Sequence, residues 1–426
     1  MPIQTNIVFL YADALRRDLS TCYIIERALN ERGVRTFICS RRNFSRFFKH
    51  IIPQKLFLLG QIDACYEQHV QHIAKGYNSE IFFMPSEGFL ANSQYKLVYP
   101  EIFEFSNVEA IFFWGRNSLQ WFKENRIIDN PQKLKRVGYS RLPIAREYQT
   151  SVKRDKKIGF IGRFAALNDI YKRGLLDFYL SEPSLSNRVQ TAARQEIESK
   201  AINCYIDLFE FIVNHTDLKI SFRPHPNEDV STYRYLTERY GPRFEMNLGY
   251  DVAEWMASCL CMVGVSSFSY VDAYATQTPV ICLDHYLKTK SKALLMEPVL
   301  EWMYECCHLP DTLDDIKRLL TDRHLKPISS DKFNNLIKEE FTGESALVFD
   351  RVLSELLRKP LKPRFVDGIL LFSLKFCDFI LTSITRFMRK TNLSFDYSYY
   401  YHPISDGIKG IATSIKKQLN LGILHE

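Results

Sequence analysis

The sequence is short of the features that mark several protein classes. Its ten cysteines form no CxxC pair and are scattered, mostly inside apolar runs, which argues against a zinc ribbon or a disulfide-stapled secreted scaffold and fits reduced thiols. No basic stretch followed by a long apolar run is present near Met1; Ile7–Tyr11 is short and ends at Ala12-Asp13, so no signal peptide is expected. Internal repeats and low-complexity tracts are absent. Hydrophobic residues at 46% and charged residues at 25% exclude disordered and collagenous classes. No DxD stands in a loop after a strand, because Asp314-Asp315 falls at a predicted helix start, and no metal site is expected.

What is present is a chain of 426 residues, enough for two or three domains. Continuous apolar runs alternate with helical periodicity, as in buried parallel sheets. Strands are predicted at Ile7–Tyr11, Val34–Cys39, Lys55–Leu59, Ile81–Met84, Ala110–Trp114 and Leu134–Val137, with helices near Ser20–Leu29, Glu67–Lys75 and Ser118–Arg126. Residues Ala145–Lys157 lose this periodicity and read as a linker. The alternation then restarts with strands at Ile158–Ile161, Leu218–Phe222, Phe244–Leu248, Cys261–Val265 and Val280–Leu283, and a long helix over Ile197–Val213. Two doubly wound α/β halves predict two Rossmann-like domains with a cleft between them.

The net charge of +7 is unevenly placed. Lys359–Glu426 holds ten basic and five acidic residues, leaving only +2 for the rest of the chain. The segment Ile369–Met388 is apolar but carries Lys375, Asp378 and Arg386, which suits an amphipathic helix better than a bilayer span. In projection Phe376, Ile380, Ile384, Phe387 and Met388 fall opposite Lys375, Asp378, Arg386, Arg389 and Lys390. Such a helix either packs on its own domain or lays a basic face on anionic lipid. Nucleic acid is disfavoured, since these cations interleave with apolar residues rather than forming a groove of stacking aromatics.

Two motifs point to phosphate chemistry. In Ile220–Glu228, ISFRPHPNE, a strand runs into Arg223-Pro224-His225-Pro226, and the prolines hold the histidine at a strand's C-terminal end, where α/β sheets bind ligands. His225 there can contact a phosphate and supply a proton, and Arg223 offers a planar donor fork. The alternative is a turn whose histidine caps the next helix. Further on, Cys261–Val265 ends in Ser266-Ser267 and opens a helix bearing Asp272, a pattern that makes an anion site with a carboxylate in reach of ribose, or an ordinary helix cap.

A strand ending in R-x-H-P, then one ending in S-S before a D-A helix and the Thr278-Pro279-Val280-Ile281 strand, resembles the C-terminal domain of GT-B glycosyltransferases that make bacterial surface polysaccharides. Within that group the chain is most similar to the surface carbohydrate biosynthesis proteins. More distantly it resembles bacterial sialyltransferases, capsule Kdo transferases and CDP-glycerol polymer transferases. The resemblance spans roughly residues 5–290.

The resemblance implies a CMP-sugar donor whose phosphate is gripped by His225, Ser266 and Ser267, with Arg223 as helper and the loop Gly162-Arg163-Phe164 touching the donor. It implies a general base at Glu87 in Pro85-Ser86-Glu87-Gly88; Ser86 stands where the sialyltransferases carry a second acid. Gly138 and Arg141 match a T-G-N-P-R segment, from which Tyr139-Ser140 depart. On the acceptor side, Asp13–Asp18 (DALRRD) offers Arg16 and Arg17 to an anionic acceptor, or is a solvated loop. A donor with one phosphate needs no Mg²⁺, so no cofactor is implied.

The break in periodicity at Ala145–Lys157 and the change of pattern over the last hundred residues divide the chain into 1–150, 151–330 and 331–426, which the resemblance makes an acceptor-side domain, a donor domain and a helical tail. The expected activity is transfer of a CMP-activated Kdo, sialic acid or related nonulosonate to a saccharide or lipid-linked saccharide, in the cytoplasm or at the cytoplasmic face of the inner membrane. The alternatives are a CDP-glycerol or UDP/GDP-sugar donor, an epimerase on the same scaffold, and a non-catalytic polysaccharide-binding protein.

Overall fold

The structure, a computed structural model, describes residues 2–13, 15–40, 44, 47–60, 70–71, 75–101, 103–170, 172–181, 184–249, 251–292, 297–322, 324–343, 348–359, 361–362 and 364–390. The helix expected near Glu67–Lys75 lies mostly outside these residues, as does the tail beyond Lys390. In chain order the principal elements are β1 (Ile3–Ala12), α1 (Leu15–Glu31), β2 (Thr36–Ser40), β3 (Ile51–Gly60), β4 (Glu80–Pro85), β5 (Val108–Phe113), α2 (Arg116–Asn125), β6 (Leu134–Arg136) and α3 (Arg141–Ser151). They continue with β7 (Lys157–Ile161), α4 (Leu185–His215), β8 (Lys219–Arg223), β9 (Phe244–Met246), α5 (Val252–Ser258), β10 (Cys261–Gly264), α6 (Tyr270–Ala275), β11 (Val280–Cys282), α7 (Val348–Leu357) and α8 (Phe365–Lys390).

Two compact units result, one of residues 1–141 with 336–426 and one of residues 142–335. This division differs from the one drawn on the sequence. Ala145–Lys157 is no linker over most of its length: α3 continues to Ser151, burying Leu142, Ile144, Ala145 and Tyr148, and the Tyr148 hydroxyl donates to Asp251 at 3.1 Å. The polar residues of that stretch face solvent and hide its few buried positions. Nor do the described residues between 336 and 390 stand as a separate tail, since they belong to the first unit.

The described residues of the first unit form a six-stranded parallel sheet in the order β2-β1-β3-β4-β5-β6. Both faces are covered, which explains the unbroken burial of Ile7–Ala12. The strand order reverses between β1 and β3, the kind of switch at which such sheets bind ligands. The second unit carries a five-stranded parallel sheet, β11-β10-β7-β8-β9, with its switch between β7 and β10.

Two buried charges fasten the C-terminal segment to the first sheet. Lys55 on β3 is 1% exposed and donates to the carbonyls of Leu356 and Lys359, 2.5 and 2.6 Å away, which lie in and just beyond the last turn of α7. Those carbonyls lack helix partners, and an ammonium there also meets the negative end of the helix dipole. Asp367 in the first turn of α8 accepts from Thr5 Oγ1 at 2.8 Å, from the Asn6 amide at 3.2 Å and from the Arg364 amide at 2.8 Å. Burial alone would raise its pKa, but Arg364 and these donors hold it down to about 2.

Candidate functional site

In the second unit, three neighbouring strands deliver the predicted residues to one edge of the sheet. β7 runs into Gly162-Arg163, β8 into Pro224-His225-Pro226, and β10 into Ser266-Ser267. Gly162 makes this convergence possible. Its amide donates to the Arg223 carbonyl at 2.7 Å, and a Cβ there would stand 2.8 Å from both the Arg223 oxygen and Pro224 Cα. Backbone cannot yield to that, so only glycine lets the two loops touch.

His225 is half-buried, and its Nδ1 accepts from the Asn227 amide at 3.2 Å. That bond leaves the ring proton on Nε2, making the histidine a donor suited to a phosphate oxygen. Ser267 is also partly exposed; its hydroxyl pairs with that of Ser269 at 2.9 Å and accepts from the Ser269 amide.

The other predicted donor groups are placed differently. Ser266 is 1% exposed; its amide donates to Asp284 and its buried hydroxyl lies beside Tyr304. It therefore supports the loop rather than presenting a hydroxyl to a ligand. Asp272 is buried on the short helix α6 and does not offer a carboxylate to ribose at the surface. Arg163 donates to the Ser266 carbonyl and to Glu297, tying the β7 and β10 loops together. The Arg223 guanidinium binds Asn247 Oδ1 and lies 5.8 Å from the Trp255 ring, over the β9 side of the sheet. The resemblance places both arginines at the donor, yet each finds its charge or hydrogen-bond partner within the protein.

Two buried carboxylates pin the loop after β7, and neither was singled out from the sequence. Glu228 accepts from the Phe164 amide at 2.7 Å and the Tyr233 hydroxyl at 2.5 Å. Glu198, on α4, accepts with one oxygen from the amides of Ala166 and Leu167 at 2.8 and 3.0 Å. The available signal was a charge on a buried helical stripe, since Glu198 lies three residues before Ala201 and seven before Tyr205. Burial, with the nearby charge of Glu228, pushes Glu198 up to about 8. Folded Glu198 thus keeps a proton that the unfolded chain releases above its ordinary value of 4.5, and stability should fall as pH rises from that value toward 8, by on the order of 1 kcal/mol per pH unit at most. Glu198→Gln preserves an acceptor for both amides without the titration. In urea denaturation the variant should match wild type near pH 5 and exceed it near pH 8; parallel pH curves would refute this assignment.

In the first unit, Asp13 follows β1 at the strand-order switch and Glu87 follows β4. Arg17 on α1 donates to Glu87 at 2.8 Å and to Asp18 at 3.0 Å, and stands 3.6 Å from Asp13. Burial works against its charge, but Asp18, Glu87 and Asp13 outweigh it and hold the guanidinium above its usual range. Arg17 therefore does not stand open on a solvated loop: its charge is engaged by three carboxylates of the same unit, Glu87 among them. The Arg16 side chain lies outside the described residues. Gly88 is occupied by packing: a Cβ would stand 2.2 Å from the Trp114 ring. Arg141 lies 5.7 Å from the Tyr139 ring. Gly138, with φ at +92°, packs on residues 341–343 of the same unit.

The two parallel-sheet units are those of the GT-B fold. Comparison with solved structures finds a variant of the wall teichoic acid polymerase TagF at TM-score 0.52 and 11% identity, covering 84% of this chain and 89% of that one. It also finds UDP-GlcNAc 2-epimerase from Methanocaldococcus jannaschii with UDP-GlcNAc and UDP, at TM-score 0.44 and 12% identity over 84% of this chain and 100% of that one. The S. aureus MnaA–UDP structure aligns at TM-score 0.45 and 10% identity over 84% and 99%. No family model and no curated protein matches the sequence.

Proposed function

We propose that the chain is a glycosyltransferase of bacterial surface polysaccharide assembly that takes a CMP-activated ulosonic acid, of the Kdo or nonulosonate kind, as donor. The observation that carries this reading is the convergence of His225, Gly162 and Ser267 on the C-terminal edge of β8, β7 and β10, beside the strand-order switch. The modest donor set supports it. With Arg163 and Arg223 turned to protein partners, a histidine N–H and a serine hydroxyl suit one phosphate better than a diphosphate.

Under this reading Glu87 accepts the proton of the acceptor hydroxyl as its oxygen bonds to the anomeric carbon. The bond from that carbon to the phosphate oxygen breaks, and CMP leaves with the electron pair. His225 Nε2–H and Ser267 steady the growing negative charge on the phosphate, and Arg17 keeps Glu87 oriented.

The test is thermal stabilisation of the full chain by CMP, CDP, UDP and GDP. At a ligand concentration of ~100 Kd the correct nucleotide should contribute about 2.7 kcal/mol. CMP is expected to give the largest shift. A larger shift from CDP would move the donor to CDP-glycerol, from UDP or GDP to the corresponding sugars, and no shift from any of them would favour a polysaccharide-binding protein.

A further inference from the structure

Helix α8 joins the first unit by one side only. Asp367, Leu374 and Asp378 are buried, and Leu370 and Leu371 pack against the core. At about 100° per residue, the side opposite Leu374 is occupied by Phe365, Ile369, Phe372, Phe376 and Phe379, spaced alternately by four and three residues. All five are between 53% and 85% exposed, and the rings of Phe372 and Phe376 stack at 6.3 Å. Single exposed apolar residues need no account, but a stripe of four phenylalanines and an isoleucine does. The two alternatives drawn from the sequence are thus both modified: the helix does pack on its own unit, and it turns out an apolar face, with Asp378 on the buried side.

We propose that this stripe seats in the interface of an anionic bilayer, with α8 lying parallel to the membrane surface. No helix among the described residues is long and apolar enough to cross a membrane, so the contact is one of lying on it. Charge selects lipid over a second copy of the chain. Lys375 is exposed about 80° round the helix from the stripe's centre. From Phe379 to Lys390 the sequence carries Arg386, Arg389 and Lys390 and no acidic residue. Two such segments face to face would repel, whereas anionic headgroups attract them, and phenylalanines suit the headgroup–acyl boundary. The inference does not depend on the nucleotide reading.

The full chain should float with phosphatidylcholine vesicles containing phosphatidylglycerol and much less with phosphatidylcholine alone. Phe372→Ser with Phe376→Ser, both at exposed positions, should reduce the bound fraction at least about tenfold with unchanged melting. Lys375→Glu should weaken binding to the phosphatidylglycerol vesicles only. Failure of the wild type to float would overturn the proposal, as would flotation of the double serine variant at wild-type levels. So would sedimentation showing a dimer that the double variant loses, because the occupant would then be a second copy.

Discussion

His225→Ala should lower transfer by about 10²–10⁴-fold, the span expected when a positioned proton donor is removed from a leaving phosphate. Melting should hardly change. The ring is half-buried, and its Nδ1 accepts a hydrogen bond from the Asn227 amide. A typical hydrogen bond contributes about 1 kcal/mol net, far less than the site's effect on rate. His225→Gln supplies an amide N–H near the position of Nε2 and should recover part of the loss, which separates a donor role from mere filling of the loop. Single-turnover transfer, using the nucleotide that stabilises the chain most, is the measurement. Full activity in the alanine variant would remove His225 from the chemistry.

The second large effect concerns folding. Lys55→Met should destabilise the chain by roughly 3 kcal/mol in urea denaturation. Methionine keeps most of the apolar stem, so the loss isolates the ammonium. Without it, the carbonyls of Leu356 and Lys359 lose their buried donor, and Glu80, 3.5 Å away, loses one of two lysines. Lys359 still reaches Glu80 at 2.7 Å, which keeps the cost below that of a wholly orphaned carboxylate. Burial pushes the Lys55 pKa down while Glu80 raises it, and the net direction is downward. A loss under about 0.5 kcal/mol would mean that water replaces the ammonium at the helix end, contrary to its burial.

The fold was largely legible because parallel strands covered on both faces must be apolar without interruption. Ile7–Tyr11, Ile81–Met84 and Cys261–Val265 stand out for that reason, and each lies at a strand in the structure. Helix α3 escaped because Tyr148 is its only large buried side chain within the polar run AREYQTSVKRDKK. Loop positions of the candidate site were also readable, since strand ends locate them. Side-chain direction was not. Whether Arg163, Arg223 and Arg17 face a ligand depends on Glu297, Asn247 and Glu87, which are 134, 24 and 70 residues away in sequence. The pinning carboxylates Glu198 and Glu228 were hidden similarly, because their burial depends on amides 32 and 64 residues distant.

The division of the chain has a consequence for its synthesis. Residues 142–335 form one uninterrupted unit, whereas the other is assembled from residues 1–141 and 336–426. A ribosome delivers the whole of the inserted unit before the segment that completes the first. Domains generally fold as units while the chain emerges. The inserted unit can therefore close early, while β1 waits for Asp367 and β3 for the carbonyls at the end of α7. The N-terminal sheet, made first, is finished last, and the buried bonds of Lys55 and Asp367 act as the closing step of its assembly.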